Sequence, residues 1–175
     1  FVIIVSAAWR RHKRLDEILE LFFKLKTKIK NLKLIILGKY NMNKKDPDII
    51  LADTISHDML PQWYRTANIY LHLSWIDQNP NTLVEAIACG LPSLCTNNGG
   101  TRELIEKTNS GIVSYVDENY NYQLVDYYNP PKPNYDILIK DFMEIYNNYK
   151  EYKNHDPSLR TNVEKTVDKY LNKNK

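Results

Sequence analysis

The chain lacks an apolar run of the roughly twenty residues that a helix needs to cross a bilayer. Residues 1–5 are apolar, but they have neither the basic start nor the small-residue cleavage site of a signal peptide. Cysteine is scarce: Cys89 and Cys95 are the two in the chain, and their spacing is not that of a metal site. We therefore expect a cytoplasmic protein whose cysteines are buried free thiols in a reducing compartment.

A large excess of charge of one sign is also absent. Lys and Arg number 24 and Asp and Glu number 21, which gives a net charge of +3 with acids and bases interspersed. Such a mild balance does not favour nucleic acid as a partner. The lysines within residues 24–30 raise that alternative, but they lie opposite an apolar helical stripe and are better explained as a solvated face.

The residues that are present alternate between apolar strands and amphipathic helices. At 175 residues and 43% hydrophobic content, the chain fits a single domain, residues 1–175, with a buried core. The alternation predicts an α/β fold, a Rossmann-like doubly wound parallel sheet of about six strands with helices on both faces. The predicted strands are residues 2–6, 32–37, 49–52, 69–73, 92–95 and 111–116, and the predicted helices are residues 15–30, 58–66, 82–89 and 101–106.

Two regions depart from this regular alternation. Residues 39–48 connect the second and third strands, whereas parallel strands usually need about a dozen or more residues to cross over. Either this connection is compressed or one strand pairs differently. Beyond the core, residues 1–116, the Tyr-, Asn- and Pro-rich residues 117–133 predict an irregular loop. Residues 134–173 predict two C-terminal helices, the second capped by Asp156.

The segment from Asp77 to Glu85 places one carboxylate in a loop and another on the helix that follows. Asn79 and Pro80 are poor residues for a helix interior, whereas residues 82–89 form two helical turns. A helix N-terminus has unpaired N–H groups and a positive dipole end, which together favour a phosphate. Flanking carboxylates can hold sugar or ribose hydroxyls, so the segment predicts a sugar-nucleotide site.

Each residue of this segment also has an ordinary explanation. Glu85 alone would be a solvated helix residue, Asp77 a loop acid, and the Gly99-Gly100 pair a simple turn. A solvated Glu, however, requires neither a proline before its helix nor the Gly-x-Pro of residues 90–92 after it. The whole string therefore favours the functional interpretation.

The string from Asp77 to Gly100 resembles the donor-site signature of the retaining family 4 glycosyltransferases. Asp77 stands where that signature has its first Glu, and Gln78-Asn79 replace a Gly-Phe pair. The resemblance implies that Asp77 contacts the donor sugar, that Glu85 holds the ribose hydroxyls, and that backbone N–H groups bind the diphosphate. The residues in register for those N–H groups are Thr82, Leu83 and Val84, and Gly99 and Gly100 match the family's Gly-Gly loop.

A basic segment follows the first strand and is similar to the phosphate-binding segment of the same family. Lys13 lies in the place of the family's phosphate-binding lysine, while Ala8 stands where an arginine is usual, so Arg10 or Arg11 would supply that charge. These basic residues are also compatible with simple solvation. Because positive charge at a helix start opposes the helix dipole, a nearby anion explains them better.

The loop after the third strand is placed where this family contacts the nucleobase. Ser56 and His57 are the candidate residues there, and His57 is equally compatible with a helix start that has no ligand. His72, on a predicted strand, is interpreted as a satisfied core residue. No histidine has metal-ligand spacing.

The resemblance extends over residues 2–116 and implies the donor-binding half of a two-domain GT-B enzyme. Such an enzyme moves a hexose, with retention, from a nucleoside-diphosphate sugar to an acceptor, and here the catalytic residues would be Asp77, Glu85, Lys13 and Arg10. The implied partner is an N-terminal acceptor-binding domain, in cis or in trans, without which we expect little or no transfer. In the full enzyme the resemblance allows a peripheral membrane contact. No metal or other cofactor is expected, because the cations would take over the role of Mg²⁺.

Two other classes of protein share parts of this pattern. A glycoside hydrolase also uses two carboxylates, but it needs no phosphate site. A noncatalytic sugar-nucleotide-binding or scaffold domain descended from such an enzyme is the stronger alternative, because Asp77, Gln78, Asn79 and Ala8 all depart from the family pattern.

Overall fold

A computed structural model describes residues 1–40, 46–121 and 123–153. These residues form a six-stranded sheet in which each strand pairing is parallel. The strands are β1 (Val2–Ser6), β2 (Lys33–Leu37), β3 (Ile49–Ala52), β4 (Ile69–His72), β5 (Ser93–Thr96) and β6 (Gly111–Ser114). The helices are α1 (Leu15–Lys26), α2 (Leu60–Arg65), α3 (Asn81–Ala88), α4 (Gly100–Thr108), α5 (Tyr135–Asn147) and α6 (Tyr149–Lys153), and a 3₁₀ turn, Arg11–Lys13, precedes α1.

The strand order is β3-β2-β1-β4-β5-β6, which is the order of the doubly wound nucleotide-binding fold. From β1 the chain proceeds toward one edge of the sheet, and from β4 it proceeds toward the other. The carboxyl ends of β1 and β4 therefore border a crevice, where open α/β sheets bind their ligands. The predicted Rossmann-like fold is confirmed.

Apolar side chains on each strand divide between two cores. Ile3 and Val5 of β1 pack with α1 and α5, whereas Ile4, between them, packs with α2, α3 and α4. This alternation follows from the period of two along a strand. Helices consequently cover both faces of the sheet, as the sequence predicted.

The short connection between β2 and β3 is a compressed one. β3 pairs with β2 in parallel, from Leu34 opposite Ile49 to Leu37 opposite Ala52, so the alternative of a different pairing is wrong. No helix is found in the described part of the connection, residues 38–40 and 46–48. β3 is an edge strand, and ion pairs from Lys26 and Lys33 to Asp48, both 2.7 Å, hold its start against α1 and β2.

Two elements end at least two residues earlier than the sequence predicted. α1 stops at Lys26, and the chain then passes through Asn31, whose backbone is left-handed (φ 57°), before it enters β2. β6 stops at Ser114, because the backbone N–H of Val116 donates to the side-chain oxygen of Asn97 and has left the strand ladder. Asn97 lies 19 residues away in the sequence, and apolar periodicity does not encode such a contact between distant loops.

The C-terminal part of the described chain packs on the core that contains Ile3, Val5 and α1. No helix or strand is found in the described residues of 117–133, and α5 and α6 follow that loop. The second predicted C-terminal helix, which begins near Asp156, lies outside the described residues. Within the described ranges, no helix is both long and apolar enough to cross a membrane.

Candidate functional site

The loops that follow β1 and β4 meet at the carboxyl edge of the sheet. Lys13 Nζ lies 2.6 Å from Asp77 Oδ2, and the two side chains are only 20% and 13% exposed. These residues are 64 positions apart in the sequence, and both belong to the predicted donor site. The structure therefore brings them together as an ion pair.

Arg14 fixes the segment that carries Lys13. Arg14 is fully buried, and its guanidinium donates two hydrogen bonds to the Asp117 carboxylate, at 2.5 and 2.8 Å, and one of 2.7 Å to the Pro131 carbonyl oxygen. Its backbone is left-handed (φ 56°), which is costly for a residue other than glycine. The buried ion pair holds this conformation in place. Sequence reasoning missed the pair, because no local pattern connects residues so far apart.

The two glycines of the predicted Gly-Gly loop support Asp77. The N–H of Gly100 donates to the Asp77 carbonyl oxygen at 2.8 Å, and Gly99 forms a parallel bridge with Asp77. Gly99 has a φ of +85°, and a Cβ added to it would lie 2.2 Å from that same carbonyl oxygen. Only glycine allows so close an approach. The loop after β5 thereby fixes the backbone that positions the Asp77 carboxylate.

His72 is the last residue of β4, and its ring is close to the Asp77 carboxylate. It is 5% exposed, and its Nε2 is 3.2 Å from Asp77 Oδ2, the oxygen that also contacts Lys13. The two atoms are close enough for an ion pair, but the ring is not oriented for a hydrogen bond, and Nε2 has no hydrogen-bond partner among the described residues. The prediction of a satisfied core histidine therefore holds for its burial, whereas no hydrogen bond satisfies Nε2 among the described residues. The residue is buried, but it faces the site.

The charges of this cluster and its burial shift the pKa values of Asp77 and His72. Burial by itself would raise the pKa of Asp77, but His72 and Lys13 together outweigh this effect and hold that pKa well below its ordinary value. Burial lowers the pKa of His72, and Lys13 adds to the lowering, while the Asp77 carboxylate opposes it. Asp77 is therefore ionised at neutral pH.

The N-terminus of α3 offers fewer free amides than the sequence predicted. The N–H groups of Leu83 and Val84 both donate to the Pro80 carbonyl oxygen, at 3.0 and 3.1 Å. No hydrogen bond from the Thr82 N–H is found among the described residues. The expectation of three outward-facing amides is thus corrected to one, because Pro80 caps the helix with its own carbonyl group.

Glu85 lies on α3 and is half-buried. Its Oε2 accepts a hydrogen bond of 3.1 Å from the hydroxyl of Tyr64, a fully buried residue of α2. Nearby, the Tyr70 hydroxyl lies 2.8 Å from Thr82 Oγ1 and 3.1 Å from the Ser6 carbonyl oxygen. Burial raises the pKa of both tyrosines, so each hydroxyl keeps its proton and can donate it. This network ties the start of α3 to the ends of β1 and α2.

The two candidate arginines have different roles. Arg11 forms a bidentate ion pair with the buried Glu17, at 2.7 and 2.8 Å, so the Glu17 carboxylate neutralises the charge of the Arg11 guanidinium. Arg10 is exposed, and no ion pair of its side chain is found in the described part of the chain. Of the two alternatives, Arg10 is the cation that can reach a ligand.

A cleft of about 710 Å³ opens beside the Lys13–Asp77 pair. Tyr127 forms part of its wall, with its ring 5.2 Å from that of His12. The cleft brings together three predicted site residues, Arg10, Lys13 and Asp77, whereas Glu85 and Thr82 do not line it. The lining residues are Arg10, Arg11, His12, Lys13, Ile76, Asp77, Gln78, Tyr127 and Tyr128.

A second cavity, of about 480 Å³, lies after β2 and β3 and is lined by residues 38–40 and 51–53. Ser56 and His57 do not line it. Both are exposed, and their carbonyl oxygens accept hydrogen bonds from Met59 and Leu60 in the turn that starts α2. The helix-start interpretation of His57 therefore fits the structure.

Neither cysteine forms a disulfide among the described residues, and the two differ in burial. Cys95 is buried on β5, and burial raises the pKa of its thiol to about 12. Cys89, which follows α3, is only half-buried, so the expectation of two buried thiols holds for Cys95 alone.

The sequence profile of the family described as glycosyl transferases group 1 matches residues 1–124. No sequence among curated proteins matches the chain significantly.

Several solved structures are similar to this chain. The pneumococcal O-GlcNAc transferase GtfA in complex with UDP and GlcNAc is 16% identical, with a TM-score of 0.69, over 99% of this chain and 35% of that one. HepE from Anabaena in complex with UDP-glucose is 13% identical, with a TM-score of 0.66, over 99% and 49%. Sucrose-phosphate synthase from Thermosynechococcus elongatus is 14% identical, with a TM-score of 0.64, over 99% and 46%. The chain thus spans half or less of the length of each of these proteins.

Proposed function

Because this chain belongs to the glycosyl transferases group 1 family, we propose that it is the donor-binding half of a retaining family 4 glycosyltransferase of GT-B fold. The enzyme moves a hexose from a nucleoside-diphosphate sugar to an acceptor. The observation that carries the proposal is that Arg10, Lys13 and Asp77 line one cleft after the carboxyl ends of β1 and β4, where the strand order reverses. An N-terminal domain, in cis or in trans, binds the acceptor, so this chain alone binds the donor without transferring its sugar.

In this proposal the diphosphate lies between the basic turn and α3. Lys13 and Arg10 supply positive charge from the cleft, and the Thr82 N–H supplies a donor at the positive end of the helix. Asp77 contacts the hexose, while Glu85, held by Tyr64, binds the ribose hydroxyls.

These groups stabilise the negative charge that develops on the diphosphate as its bond to the hexose breaks. Attack by the acceptor on the same face of the sugar gives retention. No metal is required, because Lys13 and Arg10 place cations where Mg²⁺ neutralises diphosphates in other enzymes.

The nucleobase occupies the cavity bounded by residues 38–40 and 51–53, and Ser56 and His57 belong to the loop that continues from it. Gly99 and Gly100 act through the backbone of Asp77. UDP-hexoses are the first donors to test, because similar structures were solved with UDP-glucose and with UDP and GlcNAc.

A noncatalytic sugar-nucleotide-binding or scaffold domain is the second candidate. The ion pair between Lys13 and Asp77 favours it, because the cation that would bind phosphate is already neutralised within the chain. A donor site must break or share this pair, whereas a scaffold has no need to do so.

Isothermal titration calorimetry distinguishes the candidates. We expect saturable heat with UDP-glucose or UDP-GlcNAc, tighter binding of the nucleotide sugar than of UDP because of Asp77, and no heat with glucose alone. GDP- and ADP-sugars test the base. Absence of binding with every nucleotide sugar would overturn the proposal, and equal affinity for UDP and UDP-sugars would remove the hexose contact from it.

A further inference from the structure

His72 combines three properties that an ordinary core residue does not have together. It is 5% exposed, its Nε2 has no hydrogen-bond partner among the described residues, and that atom lies 3.2 Å from the Asp77 carboxylate. Buried polar atoms are nearly always paired, and an unpaired one calls for a functional or structural reason. The His72 ring stacks on the ring of Tyr70, with centroids 6.2 Å apart and planes 26° apart, and this contact helps to hold its orientation.

The Asp77 carboxylate is shared between two basic groups. Lys13 Nζ contacts Oδ2 at 2.6 Å, His72 Nε2 faces the same oxygen, and the other oxygen accepts a bond of 3.3 Å from the Asn79 N–H. The proposed diphosphate would compete with Asp77 for Lys13. A carboxylate that lost its cation in so buried a place would need another partner.

We propose that His72 is a positioning residue for Asp77. When a bound diphosphate draws Lys13 away from Asp77, His72 becomes protonated and its imidazolium forms the ion pair with the Asp77 carboxylate in place of Lys13. This inference rests on the proposed function. One proton passes from solvent to the ring nitrogen that is unprotonated in the free protein, and no other bond forms or breaks. Donor binding is therefore coupled to the uptake of a proton.

The charges around His72 determine the direction of this coupling. Asp77 attracts the imidazolium and Lys13 repels it, while Tyr70, stacked against the ring, is neutral. Two phosphate anions that engage Lys13 weaken the repulsion and add attraction, so the pKa of His72 rises on binding. Binding then strengthens as the pH falls, by up to about tenfold per pH unit between the free and bound pKa values of His72.

Calorimetry with UDP-glucose tests this coupling. Its diphosphate is esterified at both ends, so the ligand itself does not titrate near neutral pH. Titrations at one pH in PIPES, HEPES and Tris, which differ in ionisation enthalpy, give the number of protons taken up. We expect uptake of up to about one proton by the wild-type protein. His72→Asn should abolish it and flatten the pH dependence of the affinity.

The variants His72→Asn and His12→Asn identify which histidine takes up the proton. His12 also lines the cleft, so His12→Asn must retain the uptake, and loss there with retention in His72→Asn would overturn the inference. Glu106→Ala, an exposed change on α4, should match the wild type. Saturable binding without proton uptake overturns the role of His72 alone. Absence of binding by all nucleotide sugars overturns the proposed function, and this inference with it.

NMR titration of the His72 ring provides a second test, which does not require that His72→Asn folds. In NMR titrations of the histidine ring signals, Asp77→Asn should lower the pKa of His72, because it removes the charge that favours the imidazolium. Adding UDP-glucose to the wild type should raise it. An unchanged His72 titration in Asp77→Asn would refute the contact without any reference to ligand binding.

Discussion

Replacement of Glu85 by Ala should weaken the binding of a nucleotide sugar. A carboxylate that accepts hydrogen bonds from ribose hydroxyls makes charge-assisted bonds worth about 1.5–3 kcal/mol, so its loss should raise the Kd about 10- to 150-fold. The structure adds a second effect. The Tyr64 hydroxyl, in a residue with no exposed surface, would lose its acceptor, which should lower the free energy of unfolding by about 1–3 kcal/mol.

A second substitution separates these two effects. Glu85→Gln keeps a side-chain oxygen for Tyr64 but removes the charge, so its stability should stay near that of the wild type while its affinity falls. Calorimetry with UDP-glucose gives the affinity, and urea denaturation gives the stability. Glu106→Ala, whose side chain is 51% exposed on α4, serves as the matched control. An unchanged Kd in a folded Glu85→Ala protein would refute the ribose contact and support the scaffold alternative.

Three further predictions concern the residues that hold the site together. Arg14→Met leaves the Asp117 carboxylate, which is 1% exposed, without its cation, so the free energy of unfolding measured in urea should fall by about 3–5 kcal/mol. Lys107→Met, which breaks an exposed pair, should lower it by less than about 1 kcal/mol. Equal losses in the two variants would contradict the buried pair. Gly99→Ala brings a Cβ within 2.2 Å of the Asp77 carbonyl oxygen, so both stability and UDP-glucose affinity should fall, and a variant as stable as the wild type would contradict the close approach. The pKa of Asp77 is lower in the folded protein than in the unfolded chain, so the ionised carboxylate stabilises the fold at pH values above its ordinary pKa, and this stabilisation is lost as the pH falls toward the pKa of the folded protein. The difference in unfolding free energy between the wild type and Asp77→Asn should therefore shrink in that acid range. A difference that stays constant with pH would contradict the shift.

The sequence predicted the fold because its evidence is local. Alternating apolar strands and amphipathic helices specify a parallel sheet with helices on both faces, and the structure has the strand order expected of it. The segment from Asp77 to Glu85 also has local signals, since Pro80 and the glycines mark where a loop ends and a helix begins. Its assignment to a donor site came from the resemblance of the whole string.

The tertiary structure alone decided which charges meet. Arg11 and Arg10 look alike in the sequence, yet Glu17 neutralises the first and leaves the second at the cleft. His72 has the apolar neighbours of a core residue, yet the pleat of β4 turns its ring toward Asp77. Composition and periodicity specify which face of an element is buried, but not which polar group from another loop will stand opposite. That partner depends on how the loops after β1 and β4 close on each other, and folding alone brings them together.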